Sequence, residues 1–228
     1  LGYIIPIVDY ILKSGSGKGI KAIIVYPMNA LANSQEGELK KFLSFSNSLN
    51  GNSITFSRYT GQEREETRKK ILDNPPDILL TNYVMLELIL TRPFEKTLIN
   101  ASNGIKFIVL DELHTYRGRQ GADVSMLVRR AKKAFKASNV QCIGTSATLA
   151  GSESREEQLK EISSVASLIF GEEVHPENVI GESLKRSTPK LSFTDSSIIK
   201  LLKKRIEDSS LKPPKTYQEF ISDPLSSW

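Results

Sequence analysis

The sequence is poor in cysteine, histidine and tryptophan. Its 228 residues include one cysteine, two histidines and one tryptophan. The single cysteine, Cys142, cannot form an internal disulfide or a multi-thiolate metal site, so we expect a cytoplasmic protein without structural zinc. The zinc-protease motif His-Glu-x-x-His is absent, so nothing in the sequence supports that class of enzyme.

Long apolar runs are also missing. The longest apolar stretch, residues 1–12, is interrupted by Pro6 and Asp9, whereas a membrane-spanning helix needs about 20 apolar residues. No basic segment precedes this stretch and no small-residue cleavage site follows it, which is not typical of a signal peptide. We therefore expect no membrane association. The lack of an initiator Met indicates that Leu1 is a cut point.

The overall composition is that of a globular chain. Apolar residues make up 39% and charged residues 25% of the sequence, which predicts a packed core and excludes a wholly disordered or collagen-like protein. The 31 basic and 26 acidic residues give a net charge of +5. This balance is compatible with a polyanionic partner but does not require one.

Strand-like and helix-like segments alternate along the chain. Strands are predicted at residues 22–26, 54–59, 77–80, 107–110 and 141–145, and helices at residues 4–14, 31–43, 63–72, 83–90, 121–135 and 154–170. This alternation predicts a doubly wound α/β domain with a mostly parallel sheet, whose ligands bind at the carboxyl ends of the strands. Because the pattern weakens afterwards, we expect a domain over residues 1–170 and a C-terminal extension over residues 171–228.

Two adjacent carboxylates, Asp111 and Glu112, follow the apolar strand at residues 107–110. Nucleotide-hydrolysing motors present acid groups in this way: the first carboxylate holds Mg²⁺, directly or through water, and the second polarises the attacking water. We assign Asp111 to the metal and Glu112 to the role of base. The alternative interpretation is that the pair simply ends a strand at a solvated turn.

Small hydroxyl residues end the next predicted strand, in the string Gly144-Thr145-Ser146-Ala147-Thr148. The hydroxyl groups of Ser146 and Thr148 are placed to bond across a cleft to the loop that follows Asp111, which would couple nucleotide state to shape. The alternative is that they cap the following helix.

These strings resemble a known family. Asp111-Glu112-Leu113-His114 and Ser146-Ala147-Thr148 resemble motifs II and III of the DEAD/DEAH-box helicases of superfamily 2. The segments Tyr-Pro-Met-Asn-Ala-Leu, Tyr-Thr-Gly and Leu-Thr-Asn-Tyr, which begin at Tyr26, Tyr59 and Leu80, resemble motifs Ia and Ib and the strand-end motif that follows them. The longer strings around Pro27 and Asp111 resemble the branch of DNA helicases with a C-terminal cysteine-rich domain, of the mitomycin-repair and phage-defence type. The resemblance covers residues 1 to about 181.

The resemblance implies a RecA-like domain of the P-loop NTPase type that uses ATP and Mg²⁺ to move along DNA or RNA. Its partners would be nucleic acid and a second RecA-like domain of the same chain, and a bacterial member would associate with the nucleoid. It implies catalytic roles for Asp111, Glu112 and His114. Motif III, which includes Ala147, would then couple these residues to movement, with His114 reaching Ser146 and Thr148.

The resemblance also implies residues that hold the nucleic-acid backbone through main-chain amides, hydroxyls and helix N-termini. They are Pro27, Asn29, Ala30, Thr60, Gly61, Thr81 and Asn82. The alternative is that Asn29, Thr81 and Asn82 are ordinary helix caps and that Thr60 and Gly61 form an ordinary turn. Arg117 and Arg119 are expected in a basic loop that either contacts phosphate or the second domain, or is simply solvated.

The family's phosphate loop, which ends in Gly-Lys-Thr or Gly-Lys-Ser before a helix, is not present in these residues. The string Gly15-Ser16-Gly17-Lys18-Gly19 imitates it, but this string follows a predicted helix, precedes a strand and has Gly in place of the hydroxyl. We predict a turn there and expect the chain to hydrolyse ATP poorly by itself. Two other functions remain open: a non-catalytic RecA-like module that binds nucleic acid or protein, and a motor attached to a nuclease.

Overall fold

The computed structural model describes residues 2–50, 54–147, 154–181, 186–192, 194–208 and 213–227. Contacts between residues divide the chain into two compact units, Leu1–Val179 and Ile180–Trp228. The first unit contains the sheet and every residue to which the sequence assigned a functional role. The domain boundary predicted at residue 171 stays a prediction.

A parallel sheet forms the centre of the first unit. Among the described residues its strands are β1 Ala22–Tyr26, β2 Phe56–Arg58, β3 Ile78–Asn82, β4 Phe107–Leu110 and β5 Gln141–Gly144. They are ordered β2-β3-β1-β4-β5, and every neighbouring pair is parallel. The doubly wound parallel sheet predicted from the sequence is confirmed, although β2 is shorter than expected.

Helices cover both faces of this sheet. They are α1 Ile4–Ser14, α2 Asn29–Asn50, α3 Glu65–Asp73, α4 Tyr83–Thr91, α5 Lys96–Ala101, α6 Gly118–Ala134 and α7 Arg155–Phe170, with short 3₁₀ turns at Pro93–Glu95, Leu113–Thr115 and Pro176–Asn178. The sequence did not predict α5, because six residues are too few for a helical period to stand out. The predicted helix at 31–43 extends in both directions to become α2.

Successive residues of each strand pack on opposite faces of the sheet, as the pleat requires. In β1, Ala22, Ile24 and Tyr26 join the cluster formed with α1 and α2, whereas Ile23 and Val25 join the cluster formed with α4, α6 and α7. All five residues are at most 1% exposed. Burial on both faces explains why these strands read as continuous apolar runs.

The buried carboxylate of Asp77 closes the amino-terminal end of the sheet. Its oxygens accept hydrogen bonds from Ser16 Oγ at 2.6 Å, Gly17 N at 2.8 Å, Thr55 N at 2.9 Å and Thr55 Oγ1 at 2.8 Å. Residues 15–19 therefore form an anchored turn between α1 and β1. A phosphate loop connects a strand to a helix at the opposite, carboxyl end of such a sheet, which explains why this string only imitates one.

The second unit is helical in its described parts. It contains α8 Ser196–Glu207, α9 Tyr217–Ser222 and α10 Pro224–Ser227, and Arg205 Nε donates to Asp223 Oδ1 at 3.0 Å. The basic residues Lys200, Lys203, Lys204 and Arg205 lie within α8. Across the described ranges of both units, no helix combines the length and apolar character that a membrane crossing requires.

Candidate functional site

The two carboxylates predicted to act in catalysis lie where β4 leaves the sheet. The amide of Asp111 donates to Val25 O at 2.9 Å, so Asp111 continues the pairing of β4 with β1, and its side chain is only 9% exposed. Glu112 then adopts φ +55°, a left-handed conformation that residues other than glycine rarely adopt. Such a conformation costs about 1 kcal/mol and is held only by its surroundings.

Thr145, directly after β5, supplies that surrounding structure. Its hydroxyl donates to Asp111 Oδ1 and accepts from Glu112 N at 3.2 Å, while its carbonyl accepts from Leu113 N at 2.7 Å. The sequence analysis included Thr145 in the hydroxyl string but predicted roles in that string only for Ser146, Ala147 and Thr148. The register of β4 against β5 identifies the role of Thr145. Leu110 pairs with Gly144, so the residues that follow them, Asp111 and Thr145, lie opposite each other.

His114 lies between the carboxylate of Glu112 and the hydroxyl string. Its Nδ1 is 3.2 Å from Glu112 Oε2 and 3.1 Å from Ser146 Oγ. The side chains of Glu112 and His114 are 31% and 28% exposed, so both are accessible to solvent. The expected contact between the two motifs is therefore present at Ser146. Ala147 is exposed, and Thr148 lies outside the described residues.

The acid pair suits a magnesium ion that arrives with its nucleotide. Mg²⁺ usually keeps several waters and takes one or two carboxylates together with substrate phosphates. Asp111 offers such a carboxylate, oriented by the Thr145 hydroxyl. Within the described ranges no group of three or more His, Cys, Asp or Glu side chains is placed to hold a metal ion.

A groove of about 480 Å³ opens beside the carboxyl ends of β1 and β3. It is lined by residues that include five of those predicted to hold nucleic acid: Pro27, Asn29, Thr60, Gly61 and Asn82. Two others do not line it. Ala30 is exposed in the first turn of α2, and Thr81 is fully buried with its hydroxyl donating to Tyr59 O at 2.7 Å.

Asn82 joins the three segments that form the groove. Its Oδ1 accepts from Met85 N at 2.6 Å, which caps α4, and its Nδ2 donates to Asn29 Oδ1 at 2.5 Å and to Thr60 O at 3.2 Å. The alternative interpretation of Asn82 as a helix cap is thus confirmed. The same side chain also fixes the positions of two loops that follow other strands.

Glu63 occupies donors that were expected to face phosphate. Its carboxylate accepts from Thr60 N at 2.8 Å, Thr60 Oγ1 at 2.9 Å and Gly61 N at 2.9 Å, and it pairs with Arg58 Nε at 2.9 Å. Burial alone would raise the pKa of Glu63, but the hydrogen bonds from Thr60 and Arg58 prevail and lower it below its ordinary 4.5. The loop at Thr60 and Gly61 is therefore built around an internal anion.

Arg119 does not lie in a loop, contrary to the prediction from the sequence, whereas Arg117 is the last loop residue before α6. Arg117 is the N-cap residue of α6 and Arg119 belongs to its first turn, because the helix already begins at Gly118. Both side chains are exposed, and neither is part of the groove lining.

A pair of tyrosines separates the acid pair from the groove. The ring of Tyr116 meets the ring of Tyr83 edge-on, with centroids 6.4 Å apart, and Tyr83 lines the groove. Burial raises the pKa of Tyr116 above its ordinary 10, and the negative charge of Asp111 raises it further. The acid pair and the groove therefore lie next to each other at the carboxyl end of the sheet.

Comparison with known proteins identifies the family. Residues 1–170 match the DEAD/DEAH box helicase family, which is three quarters of the chain. This chain belongs to the DEAD/DEAH box helicases. The predicted family and its RecA-like fold are confirmed.

Other proteins share sequence with this helicase domain. It is 32% identical over 161 residues to the ATP-dependent helicase YprA of Bacillus subtilis, covering 70% of this chain and 20% of YprA. It is 37% identical over 100 residues to the Druantia protein DruE of Escherichia coli, covering 40% of this chain and 5% of DruE. The helicase domain thus spans a fifth or less of these relatives.

Solved helicase structures share its fold. The helicase MrfA bound to DNA superposes with a TM-score of 0.59 and 27% identity, over 75% of this chain and 21% of MrfA. The Lhr helicase of Mycobacterium smegmatis bound to single-stranded DNA and AMP-PNP gives a TM-score of 0.53 and 25% identity, over 66% of this chain and 18% of Lhr. These similarities confirm the branch of helicases that the sequence predicted.

Proposed function

We propose that this chain is the first RecA-like motor domain of an ATP-dependent DNA helicase or translocase. The observation that carries the proposal is the locked acid pair at the end of β4. Thr145 holds Asp111, and His114 joins Glu112 to Ser146 on the neighbouring strand end. A pair of carboxylates that merely ended a strand would not need contacts of this kind.

In this proposal Asp111 would hold Mg²⁺, directly or through water, and the ion would neutralise charge that develops on the phosphates of ATP. Glu112 orients the attacking water and accepts its proton at the exposed carboxylate. The neighbouring His114 holds that carboxylate in position. The isolated chain is expected to hydrolyse ATP poorly, because residues 1–228 contain no Gly-Lys-Thr or Gly-Lys-Ser phosphate loop.

His114 also provides the route from chemistry to movement. It contacts Glu112 on one side and Ser146 on the other, so a change in charge at the nucleotide shifts the hydrogen bonds at the end of β5. We propose that a second RecA-like domain closes over this edge of the sheet and opens again after hydrolysis. Each cycle would then move the protein along one strand.

The groove is the proposed binding site for the nucleic-acid backbone, with DNA as the favoured partner. The MrfA and Lhr structures similar to this chain contain DNA, and the chain carries a net charge of +5. Backbone contacts of this kind give affinity without reading sequence. Pro27, Asn29 and Asn82 would contact the strand from one side. The turn at Thr60 and Gly61, whose amides donate to Glu63, would bound the groove on the other side.

The test is ATP hydrolysis by the native full-length protein with and without single-stranded DNA, comparing wild type with Glu112→Gln. Removal of a general base lowers turnover by about 10²- to 10⁴-fold. The matched control is Glu66→Gln, which removes the same charge from an exposed position on α3 and should leave turnover unchanged.

If Glu112→Gln retains wild-type turnover, the role of Glu112 as base is wrong. If the wild type hydrolyses no ATP with any nucleic acid, the motor function is refuted, and the chain is better explained as a non-catalytic binding module.

A further inference from the structure

The charge of the groove comes from two arginines that no helicase motif in this sequence includes. Among the described residues that line the groove, Arg68 and Arg92 are charged and no acidic side chain is present. Arg68 lies on α3, and Arg92 follows the last residue of α4. The predicted motifs contribute only neutral groups to the same lining.

A buried carboxylate draws the two arginines together. Glu95 is 1% exposed, and its Oε1 accepts from Arg68 Nη2 at 3.1 Å and from Tyr59 OH at 3.3 Å. The same oxygen lies 4.0 Å from Arg92 Nη1. Because a buried carboxylate is costly unless it is paired, Glu95 fixes where both guanidinium groups lie.

This arrangement leaves positive charge facing the groove. One carboxylate balances only one of the two guanidinium groups, and the arginine side chains are 34% and 48% exposed. The guanidinium of Arg68 also lies over the ring of Tyr59, 5.6 Å from its centroid, which restricts its orientation. Its contacts to Glu95 and Tyr59 use Nη2, so Nη1 and Nε remain to donate to a ligand.

The amides on the other side of the groove are already occupied. Glu63 accepts from the amides of Thr60 and Gly61, so an anion that enters the groove does not find free donors at that turn. A guanidinium, in contrast, presents paired donors that match two phosphate oxygens. Oriented donors with surplus charge, in a groove without acidic lining, favour a phosphate as the ligand.

We propose that Arg68 and Arg92, positioned by Glu95, hold a backbone phosphate of the nucleic-acid strand in this groove. The inference rests on the proposed function and adds to it the residues that supply charge to binding. The contact is independent of base sequence, because it reaches the backbone alone.

The experiment measures the affinity of the full-length protein for a fluorescently labelled single-stranded DNA oligonucleotide over a range of salt concentrations. Arg68→Met and Arg92→Met each remove one charge and keep an unbranched side chain. Each should weaken binding roughly tenfold, the effect of losing a hydrogen bond to a charged group. Each should also reduce the slope of log K against log salt by about 0.7.

The matched control is Lys69→Met, which removes one positive charge from an exposed position on the same helix as Arg68. It should change the affinity by less than about twofold, since its effect is only long-range and screened. Thermal unfolding of every variant checks that it is folded. Arg92 is half-exposed with one long ion pair, so Arg92→Met keeps the test decisive if Arg68→Met does not fold.

The outcomes separate this inference from the proposed function. If the wild type binds no nucleic acid, the proposed function fails. If the wild type binds but Arg92→Met and any folded Arg68→Met match Lys69→Met in affinity and salt slope, the phosphate contact is refuted and the proposed function stands. Weaker binding with an unchanged salt slope would also refute it, because loss of a phosphate contact must reduce counterion release.

Discussion

Replacing Thr145 with valine removes one hydroxyl from the centre of the proposed catalytic edge. That hydroxyl donates to the Asp111 carboxylate and accepts from Glu112 N. A hydrogen bond to a charged group contributes about 1.5–3 kcal/mol, and one to a neutral amide about 0.5–1.5 kcal/mol. Asp111 is buried, so water does not replace the lost donor freely. We expect Thr145→Val to lower the free energy of unfolding by about 2–4 kcal/mol.

The same change should slow ATP hydrolysis. If half of a loss of about 3 kcal/mol is expressed in the transition state, turnover falls about tenfold, because 1.36 kcal/mol corresponds to a factor of ten. The assay is DNA-stimulated ATP hydrolysis by the full-length protein, with kcat and KM measured separately. Thr145→Ser keeps the hydroxyl and should restore most of the turnover.

The control is Thr115→Val, which removes a hydroxyl from the same loop. Thr115 is exposed, and its hydroxyl donates to the main-chain carbonyl of Glu112 at 2.8 Å rather than to a carboxylate. It should cost about 0.5 kcal/mol and leave turnover within about twofold of wild type. Equal turnover in the wild type, Thr145→Val and Thr115→Val would refute the role assigned to Thr145.

Two further predictions concern stability. Gly19 has φ +84°, and a Cβ there would lie 2.5 Å from Ala101 O, so Gly19→Ala should lower the free energy of unfolding by about 2–4 kcal/mol through backbone strain and displacement of that carbonyl. Hydrogen bonds lower the pKa of Glu63 below 4.5, so the carboxylate stabilises the fold above that pH and this contribution is lost as the pH falls through the lowered pKa. The stability difference between wild type and Glu63→Gln should therefore shrink below pH 4.5, as measured by chemical denaturation from pH 7 to 3.

Each has its own control. Gly17 also has positive φ, at +75°, but a Cβ there meets nothing within 4 Å, so Gly17→Ala should cost only about 1 kcal/mol. Equal losses for Gly17→Ala and Gly19→Ala would show that the close approach to Ala101 does not matter. For Glu63, Glu66→Gln on the exposed side of α3 should show no such pH dependence, and a difference for Glu63→Gln that stays constant down to pH 3 contradicts the lowered pKa.

Two central strands, β1 and β4, could be predicted residue by residue from the sequence, whereas β3 was predicted at residues 77–80 and runs Ile78–Asn82. β1 and β4 match the predicted bounds, because burial on both faces produces an uninterrupted apolar run. The run is bounded by Lys21 and Pro27 in β1 and by Lys106 and Asp111 in β4. β2 lies at the edge and is only partly buried, so its pattern did not define where pairing begins. Thr55, directly before β2, is instead held by hydrogen bonds that it donates to Asp77. No local sequence pattern predicts these contacts.

The part of the candidate site that consists of residues close together in sequence could be predicted. A single four-residue motif contains Asp111, Glu112 and His114. Their contacts lie within one loop or between two neighbouring strands. Thr145 depends on the register of β4 against β5. Arg68 depends on a partner 27 residues away in sequence, so only the folded structure brings the pair together.

The anchoring role of Asp77 has a consequence for how the molecule tolerates change. This carboxylate gathers the turn at Ser16 and Gly17 and the segment at Thr55 at one end of the strands, while the acid pair and the groove lie at the other end. The two ends of the sheet thus have different roles. The first rim, at the amino-terminal ends of the strands, stabilises the fold, and the second rim, at the carboxyl ends, is available to ligands. Substitutions at the first rim should reduce the yield of folded protein, whereas those at the second, such as Thr145→Val, should alter turnover in addition to any loss of stability. Residues of the second rim can therefore change, and the activity with them, while the contacts of Asp77 that stabilise the fold are kept.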